Sequence, residues 1–419
     1  METTRISFYI NRLLWVFVSL LPILILPIPG LPLIFTTPKA ILLTVFSIII
    51  LLLLIKQRHK EDRVESKLLF LYLGLVFIAS IMAYKPVLAL TGIAERAGRF
   101  EGFITLFFYG VLFIAAKNNL QVKRKNIMFF LTVQSIVALY AILQFYNINP
   151  LVTYMNFDIG TYSTIGNQNF LGSFCVTLLI LSSGLFLMDK KPTTLLITAI
   201  FFGGFLASNT RGCWIAFAVI LVFSLFLLAK KRFIGAYFSL LLSFYAVFLI
   251  MNYTNQNHLV GRAKSIEHQF TVESEAAGSG RVQIWYMSKE AIWANPIFGT
   301  GPENLKEYFF QSNNERFIIY GKRTGKTVDK AHSEVLHIMA VSGIPAALVY
   351  LCFLLAIYWK NRKFILHHNS STILAFTVSA YLVQALFNIS VIAVAPLFWI
   401  ILGVFARGQL IQKDDFFSY

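Results

Sequence analysis

Residues 330–359 read KAHSEVLHIMAVSGIPAALVYLCFLLAIYW. Two imidazoles, a carboxylate and a hydroxyl stand at the mouth of an apolar run long enough to cross a bilayer, which takes about 17–25 residues. Ionisable groups at a membrane boundary are costly to keep and are candidates for function by default. The same pattern, an apolar run bounded by charge, recurs along the chain, and this recurrence decides the fold class. Of 419 residues, 57% are hydrophobic, 16% are aromatic and only 13% are charged. Soluble domains carry about 25% charged residues. The composition therefore excludes a soluble globular protein and fits lipid-facing helices with aromatic belts.

Spanning segments are expected near 13–29, 40–55, 68–84, 102–116, 126–146, 169–188, 193–208, 213–229, 233–251, 336–358, 371–389 and 391–406. The chain thus reads as an all-α polytopic membrane protein of about twelve transmembrane helices, each near the usual spanning length. It divides into helices in 1–251, a long extracytoplasmic loop in 252–335, and three helices with a cytoplasmic tail in 336–419. Charge gives the orientation. With both termini cytoplasmic, the termini and the connections at 56–67, 117–125, 189–191, 230–232 and 360–363 face inward. They hold 21 of the 36 Lys and Arg but only 7 of the 19 Asp and Glu. That bias is the positive-inside pattern, and it accounts for the net charge of +17 without a nucleic-acid partner. Pro27, Pro29 and Pro32 close the first apolar run, and no small-residue cleavage site follows, so that run reads as an uncleaved helix. Cys175, Cys213 and Cys352 have no metal-like spacing and read as packing residues.

The outer connections at 85–101, 147–168, 209–212 and 252–335 are polar or Gly-rich. Loops longer than about 12–15 residues are uncommon unless functional, so the protein is expected to work on this face. Basic residues here run against the orientation rule. Arg96 and Arg99 lie in AERAGRFEG, Arg211 in SNTRG and Arg281 in GSGR. Arg96 and Arg99 suit either interfacial snorkelling or a ligand, whereas a very short turn gives Arg211 no anchoring task. Guanidinium binds phosphate oxygens through a bidentate fork, and a diphosphate neutralised in place is a good leaving group. Arg211, Arg281 and then Arg99 are therefore the candidates for binding a diphosphate. Val282 to Ala294 has an amphipathic pattern and reads as a helix lying on the membrane surface over a cavity. Lys306 to Lys330 is basic and Gly-punctuated and reads as a mobile segment.

His332 is the candidate catalytic group, because an imidazole can take a proton from a sugar hydroxyl near neutral pH. Helical spacing turns His337 to a different face, so one of the two is expected to face the cavity. Glu334 can orient an imidazole. Asn167 and Asn169, in GNQNFLG, either contact sugar hydroxyls or cap the next helix. With Glu334 and His337 they are the further candidates for substrate contact. The chain has no nucleotide-binding loop, no dinucleotide fingerprint and no zinc-type Cys/His set. A reaction without metal or cofactor is expected.

His332-Ser333, nine residues, then Gly343-Ile344-Pro345-Ala346 resembles the signature of the bacterial O-antigen ligase family. That signature is His, then Asn, Ser or Gln, nine residues, Gly, two residues, and Gly, Thr or Tyr; Ala346 departs at the last place but stays small. STIGNQNFLG at 163–172, NTRGCW at 209–214, and GRVQIW at 280–285 running on to NPIFGTG at 295–301 are similar to the same superfamily. The likeness covers about residues 80–405. It implies an all-helical, GT-C-like transferase of twelve spans in the bacterial cytoplasmic membrane. Such an enzyme moves a glycan from an undecaprenyl-diphosphate carrier to an acceptor hydroxyl on lipid, glycan or protein, without a metal. The resemblance makes His332 the essential histidine, as base or positioning group, and Arg211 and Arg281 the functional arginines. The superfamily includes ligases, polymerases of carrier-linked repeat units and protein O-glycosylating enzymes. A transporter of an anion or lipid-linked solute is the reading from another class. It calls for charged or broken helices near the bilayer midplane, whereas the ionisable residues here gather at one face.

Overall fold

The computed structural model describes residues 2–26, 34–58, 63–93, 99–150, 160–229, 233–257, 259–261 and 280–408, and every regular element among them is helical. Arg96 lies outside the described residues. The first ten helices are α1 (Glu2–Leu20), α2 (Thr37–Gln57), α3 (Val64–Ile81), the short α4 (Pro86–Thr91), α5 (Phe103–Asn119), α6 (Arg124–Phe145), α7 (Gln168–Asp189), α8 (Pro192–Ala207), α9 (Arg211–Ser224) and α10 (Ile234–Thr254). Then come α11 (Arg281–Ala294), α12 (Leu305–Gln311), α13 (Glu315–Thr324), α14 (Glu334–His367), α15 (Asn369–Ala385) and α16 (Ala395–Ala406). Among the described residues, α2, α3, α6, α7, α10 and α14 are long and apolar enough to cross a membrane. Shorter apolar helices, α5, α8, α9 and α16, pack among them. Ten of the twelve expected spanning segments overlap one of these helices, and those at 13–29 and 371–389 fall on α1 and α15, which are not among them.

Local chemistry sets most boundaries. Prolines stand in the first turn of α2, α4, α8 and α16, where a fixed φ helps and a missing N–H is harmless. The helix α1 starts and ends earlier than the expected 13–29, and its end is set by Pro22, which disfavours helical geometry at Leu21. At one end of the bundle lie the ion pairs Arg124–Asp189 and Lys360–Glu65 and the Arg407 bond to the Leu120 carbonyl at 2.8 Å. These residues belong to the connections expected to face inward. At the opposite end Lys39 meets the turn before α7, Lys85 the turn before α12 and Arg99 the turn before α14.

The segment between α10 and α14 is a folded cap where it is described. Ile284, Met287 and Ala291 of α11 share a small core with Phe309, Phe317, Val328 and Ala340. The expected mobile stretch 306–330 instead holds α12 and α13, because Phe309 and Phe317 stack with ring centroids 5.4 Å apart. Apolar residues in that basic stretch give it a buried face.

α14 is broken at Gly343, where φ is 85° and ψ is 164°. The break leaves helix carbonyls unpaired, and the turn after α11 takes them. Thr300 N–H donates to the Ala340 carbonyl at 2.9 Å and Gly301 N–H to that of Val341 at 2.8 Å. In return Ile344 N–H donates to Pro296 O at 2.8 Å. A Cβ at Gly343 would stand 1.9 Å from the Ile297 carbonyl oxygen. Only glycine fits there, and this contact locks the cap to the membrane helix. Gly343→Ala is expected to destabilise the protein by about 3 kcal/mol or more, from the positive φ together with the clash. Thermal unfolding in detergent reads this directly, and an unchanged midpoint would contradict the packing.

Lys39 is fully buried in α2. Its ammonium donates to the carbonyls of Leu24 at 2.9 Å, Phe35 at 3.0 Å and Thr164 at 2.8 Å. Three N–H groups meet three acceptors, so the charge is tolerated because every donor is used. This contact ties the α1–α2 connection to the turn before α7. Lys39→Met strands three carbonyls and is expected to destabilise by about 2–4 kcal/mol, measured by the same thermal assay. A neutral result would show that the carbonyls find other donors.

Candidate functional site

Arg211 opens α9 and Arg281 opens α11. A cation at a helix N-terminus opposes the macrodipole and is unfavourable unless an anion sits there. Together with the N–H groups of the first turn it has the chemistry to bind an anion. Arg281 lies within electrostatic reach of Cys213, the third residue of α9, so the two helix starts converge. Burial lowers the Arg281 pKa from its usual value, the sign of a guanidinium short of water. Gly172 of α7 permits this approach: a Cβ there would stand 2.8 Å from Thr210 Cβ and 2.9 Å from Cys213 Sγ. Thr210 Oγ1 also donates to Gln168 O at 3.1 Å. The final glycine of GNQNFLG thus explains itself as a contact with NTRGCW.

His332 lies just before α14 with φ of 50°, a left-handed conformation. It is half-buried and faces Arg281, Arg99, Asp329 and Lys330. Burial first, then the charges of Arg281 and Arg99, hold its pKa down to about 4. The imidazole is therefore neutral, in the form that accepts a proton, through the physiological range. His337 lies within electrostatic reach of Lys330, Arg99 and His332. Helical spacing does not apply to His332, which stands outside the helix, and both imidazoles lie within electrostatic reach of Arg99.

Arg99 is tied by Nη2 to Asp329 Oδ2 at 2.9 Å, and its buried Nη1 has no hydrogen-bond partner among the described residues. Asp329, not Glu334, is the carboxylate that faces His332. Glu334 instead accepts from the Tyr350 hydroxyl at 2.8 Å inside the bundle. Asn167 caps α7 through Oδ1, which accepts from Asn169 N–H at 2.9 Å. The backbone oxygen of Asn169 accepts from Asn388 Nδ2 at 3.2 Å.

Charges that no motif announced hold this arrangement. Lys330 pairs with Glu303, both buried, and pins the approach to His332 onto the turn after α11. Asn304 bonds the backbone of Lys85 in both directions, at 2.9 Å to N–H and 3.3 Å to O. Glu101 is buried and accepts from Tyr109 at 2.9 Å. Burial pushes its carboxyl up to about 8 against the pull of Lys330, so it is largely protonated near neutral pH. The only advance signal was three charged residues, Asp329, Lys330 and Glu303, beside motif glycines and His332.

Two clefts border the site. One, of about 520 Å³, lies between α11 and α14 and is lined by Val282, Trp285, Tyr286, Trp293, Met339 and Ile344, among others. The other, of about 240 Å³, is bordered by Phe35, Thr36, Arg99, Asn167, Phe170 and Ile392, among others.

Residues 196–351 match the family described as O-Antigen ligase. The matched stretch runs from within α8 to within α14. It contains Arg211, Arg281, His332, Glu334 and His337, but not Arg99, Asn167 or Asn169. No curated protein matches the chain.

Proposed function

We propose that this chain, similar to the O-antigen ligases over residues 196–351, transfers a glycan from an undecaprenyl-diphosphate carrier to an acceptor hydroxyl. The work is done at the outer face of the bacterial cytoplasmic membrane. The observation that carries this reading is Arg281, which opens α11 and lies within electrostatic reach of both Cys213 in the first turn of α9 and a histidine kept neutral by burial. The donor diphosphate lies between Arg211 and Arg281. His332 takes the proton of the acceptor hydroxyl as its oxygen bonds to the anomeric carbon. The bond from that carbon to the diphosphate oxygen breaks, and the carrier diphosphate leaves with the electron pair, its charge met by the arginines and helix N-termini. Each step uses groups of this chain and needs no metal or cofactor. The inward charge bias supports twelve spans with both termini cytoplasmic.

Transport is disfavoured by the way the break in α14 is filled. A transporter uses such breaks to line a passage, but the break in α14 is filled by backbone hydrogen bonds from residues 296–301. The reading is tested by mass spectrometry of surface glycoconjugates from a deletion strain. Loss of one glycoconjugate class, restored by the wild type and not by His332→Ala, is the expected result. Unchanged glycoconjugates on deletion would sink the proposal.

A further inference from the structure

The stretch 306–326 lies in a connection expected to face outward, where the orientation rule disfavours Lys and Arg. It nevertheless holds Lys306, Arg316, Lys322, Arg323 and Lys326 against Glu307 and Glu315. Nearby carboxylates do not offset the surplus. Glu307 is taken by Lys85 at 2.7 Å, and Glu290 of α11 by Arg316 at 2.9 Å. No group of the reaction above uses this charge.

The surplus is mixed with apolar surface. Phe317 is the buried residue of α13, while Ile318 and Ile319 beside it are 42% and 53% exposed. Phe310 of α12 packs edge-on against Phe317, with centroids 4.9 Å apart, and is itself 53% exposed. Helical spacing sets Lys322 one turn after both isoleucines and Arg323 one turn after Ile319. Cations in the last turn also suit the helix macrodipole, but that gives no reason for isoleucines next to them. Lys306 Nζ stands over the Phe310 ring, 5.7 Å from its centroid. Aliphatic side chains set among long cations are the pattern of a helix lying in a headgroup layer. The apolar groups enter the acyl boundary, and the Lys and Arg stems carry their charge up to phosphates.

The cap holds this face at the bilayer boundary. Asn314 Nδ2 donates to Glu290 Oε2 at 2.8 Å, and the Arg316 guanidinium lies 5.7 Å from the Tyr286 ring centroid, so the start of α13 is fixed to α11. In turn α11 shares a cleft with Leu336, Met339 and Ile344 of α14, a helix long enough to cross the membrane. Tyr286 and Trp293 of α11 are 53% and 68% exposed, as aromatic residues of an interfacial belt are. The other end is tied just as low. Asn304 and Glu307 hold Lys85, four residues past the end of α3, which is also of membrane length.

We propose that the outward face of α13, with Phe310, docks on the bilayer surface and binds the headgroups of anionic phospholipids through Lys306, Lys322, Arg323 and Lys326. Docking holds α11, one wall of the α11–α14 cleft, against the membrane. It does not depend on the transferase reading.

The test uses full-length protein in which the exposed cysteine is removed by Cys352→Ala and a nitroxide is attached through Ile319→Cys. The protein is placed in nanodiscs of phosphatidylcholine alone or with phosphatidylglycerol added. Power saturation compares collisions with oxygen, which concentrates in lipid, and with a water-soluble nickel chelate. Oxygen should dominate when phosphatidylglycerol is present, and nickel should gain in phosphatidylcholine alone. Lys322→Glu with Arg323→Glu should lower the docking equilibrium in phosphatidylglycerol nanodiscs by about tenfold or more. Ile318→Cys gives the same readout if the Ile319 variant fails to fold. Nickel dominance in both compositions overturns the proposal. Oxygen dominance in both, untouched by the two glutamates, overturns it as well, because headgroup charge then plays no part. Dipolar broadening that disappears on dilution with unlabelled protein also overturns it, since a second copy then covers the face.

Discussion

His332→Ala lowers kcat/KM for glycan transfer by about 10²–10⁴-fold, the usual contribution of a positioned general base, while expression and membrane insertion persist. The site makes this residue hard to replace. His332 sits outside the helix at φ of 50°, anchored by the buried Lys330–Glu303 pair two residues earlier. Its pKa is held at about 4, so the proton-accepting form dominates without help from a partner. In the free enzyme, kcat/KM should stay level from roughly neutral pH downward as far as this group is concerned, and fall only as pH nears about 4. A bound diphosphate brings negative charge beside the ring and favours the protonated form. The acid limb of kcat should therefore lie at higher pH than that of kcat/KM. The stability effect has a definite sign too. The folded-state pKa is depressed from 6.5, so the His332 contribution is fully present above pH 6.5 and is lost as pH falls toward about 4. His332→Gln separates the two roles left open, because glutamine can position a hydroxyl but takes no proton at these pH values. Substantial activity with glutamine makes His332 a positioning group, and wild-type activity with alanine removes it from the mechanism.

Arg281→Lys is expected to lower kcat/KM by about 10–100-fold, the loss of one charge-assisted hydrogen bond worth roughly 1.5–3 kcal/mol. Charge is kept, so the loss reports the fork that a point-charged ammonium cannot supply. Arg211→Lys should behave alike, because each residue opens a helix and in the proposed reaction both meet the donor diphosphate. If both hold one diphosphate as proposed, they are coupled and the double variant should lose less than the product of the single losses. The measurement is transfer from a radiolabelled carrier-linked donor at several donor concentrations. Full activity in both lysine variants would reduce these arginines to membrane anchors.

Much of the architecture was legible because it depends on local properties. The run after His337 announces a membrane helix by its length and apolarity alone, and the amphipathic spacing after Arg281 announced α11 almost to the residue. Pro22 was not weighed, and the first helix was placed too late. The basic residues of 306–330 masked the phenylalanines that fold it. In the site, Arg211, Arg281 and His332 stood out because charge near lipid needs a reason. Asp329, Lys330, Glu303, Glu101 and Lys39 did not, since a buried ion is recognisable only when its partner is known.

The sequence by itself determined the membrane class, the uneven split of charge between alternate connections and the residues able to bind phosphate or take a proton. All of these follow from composition, run length and side-chain chemistry. Only the tertiary structure decided which of these residues meet. It set Arg281 within electrostatic reach of the start of α9 and both histidines within reach of Arg99, sent Glu334 to Tyr350 and plugged the Gly343 break with residues 296–301. The physical reason is that these contacts join segments far apart in the chain. No periodicity relates such segments, and only close packing brings them within reach.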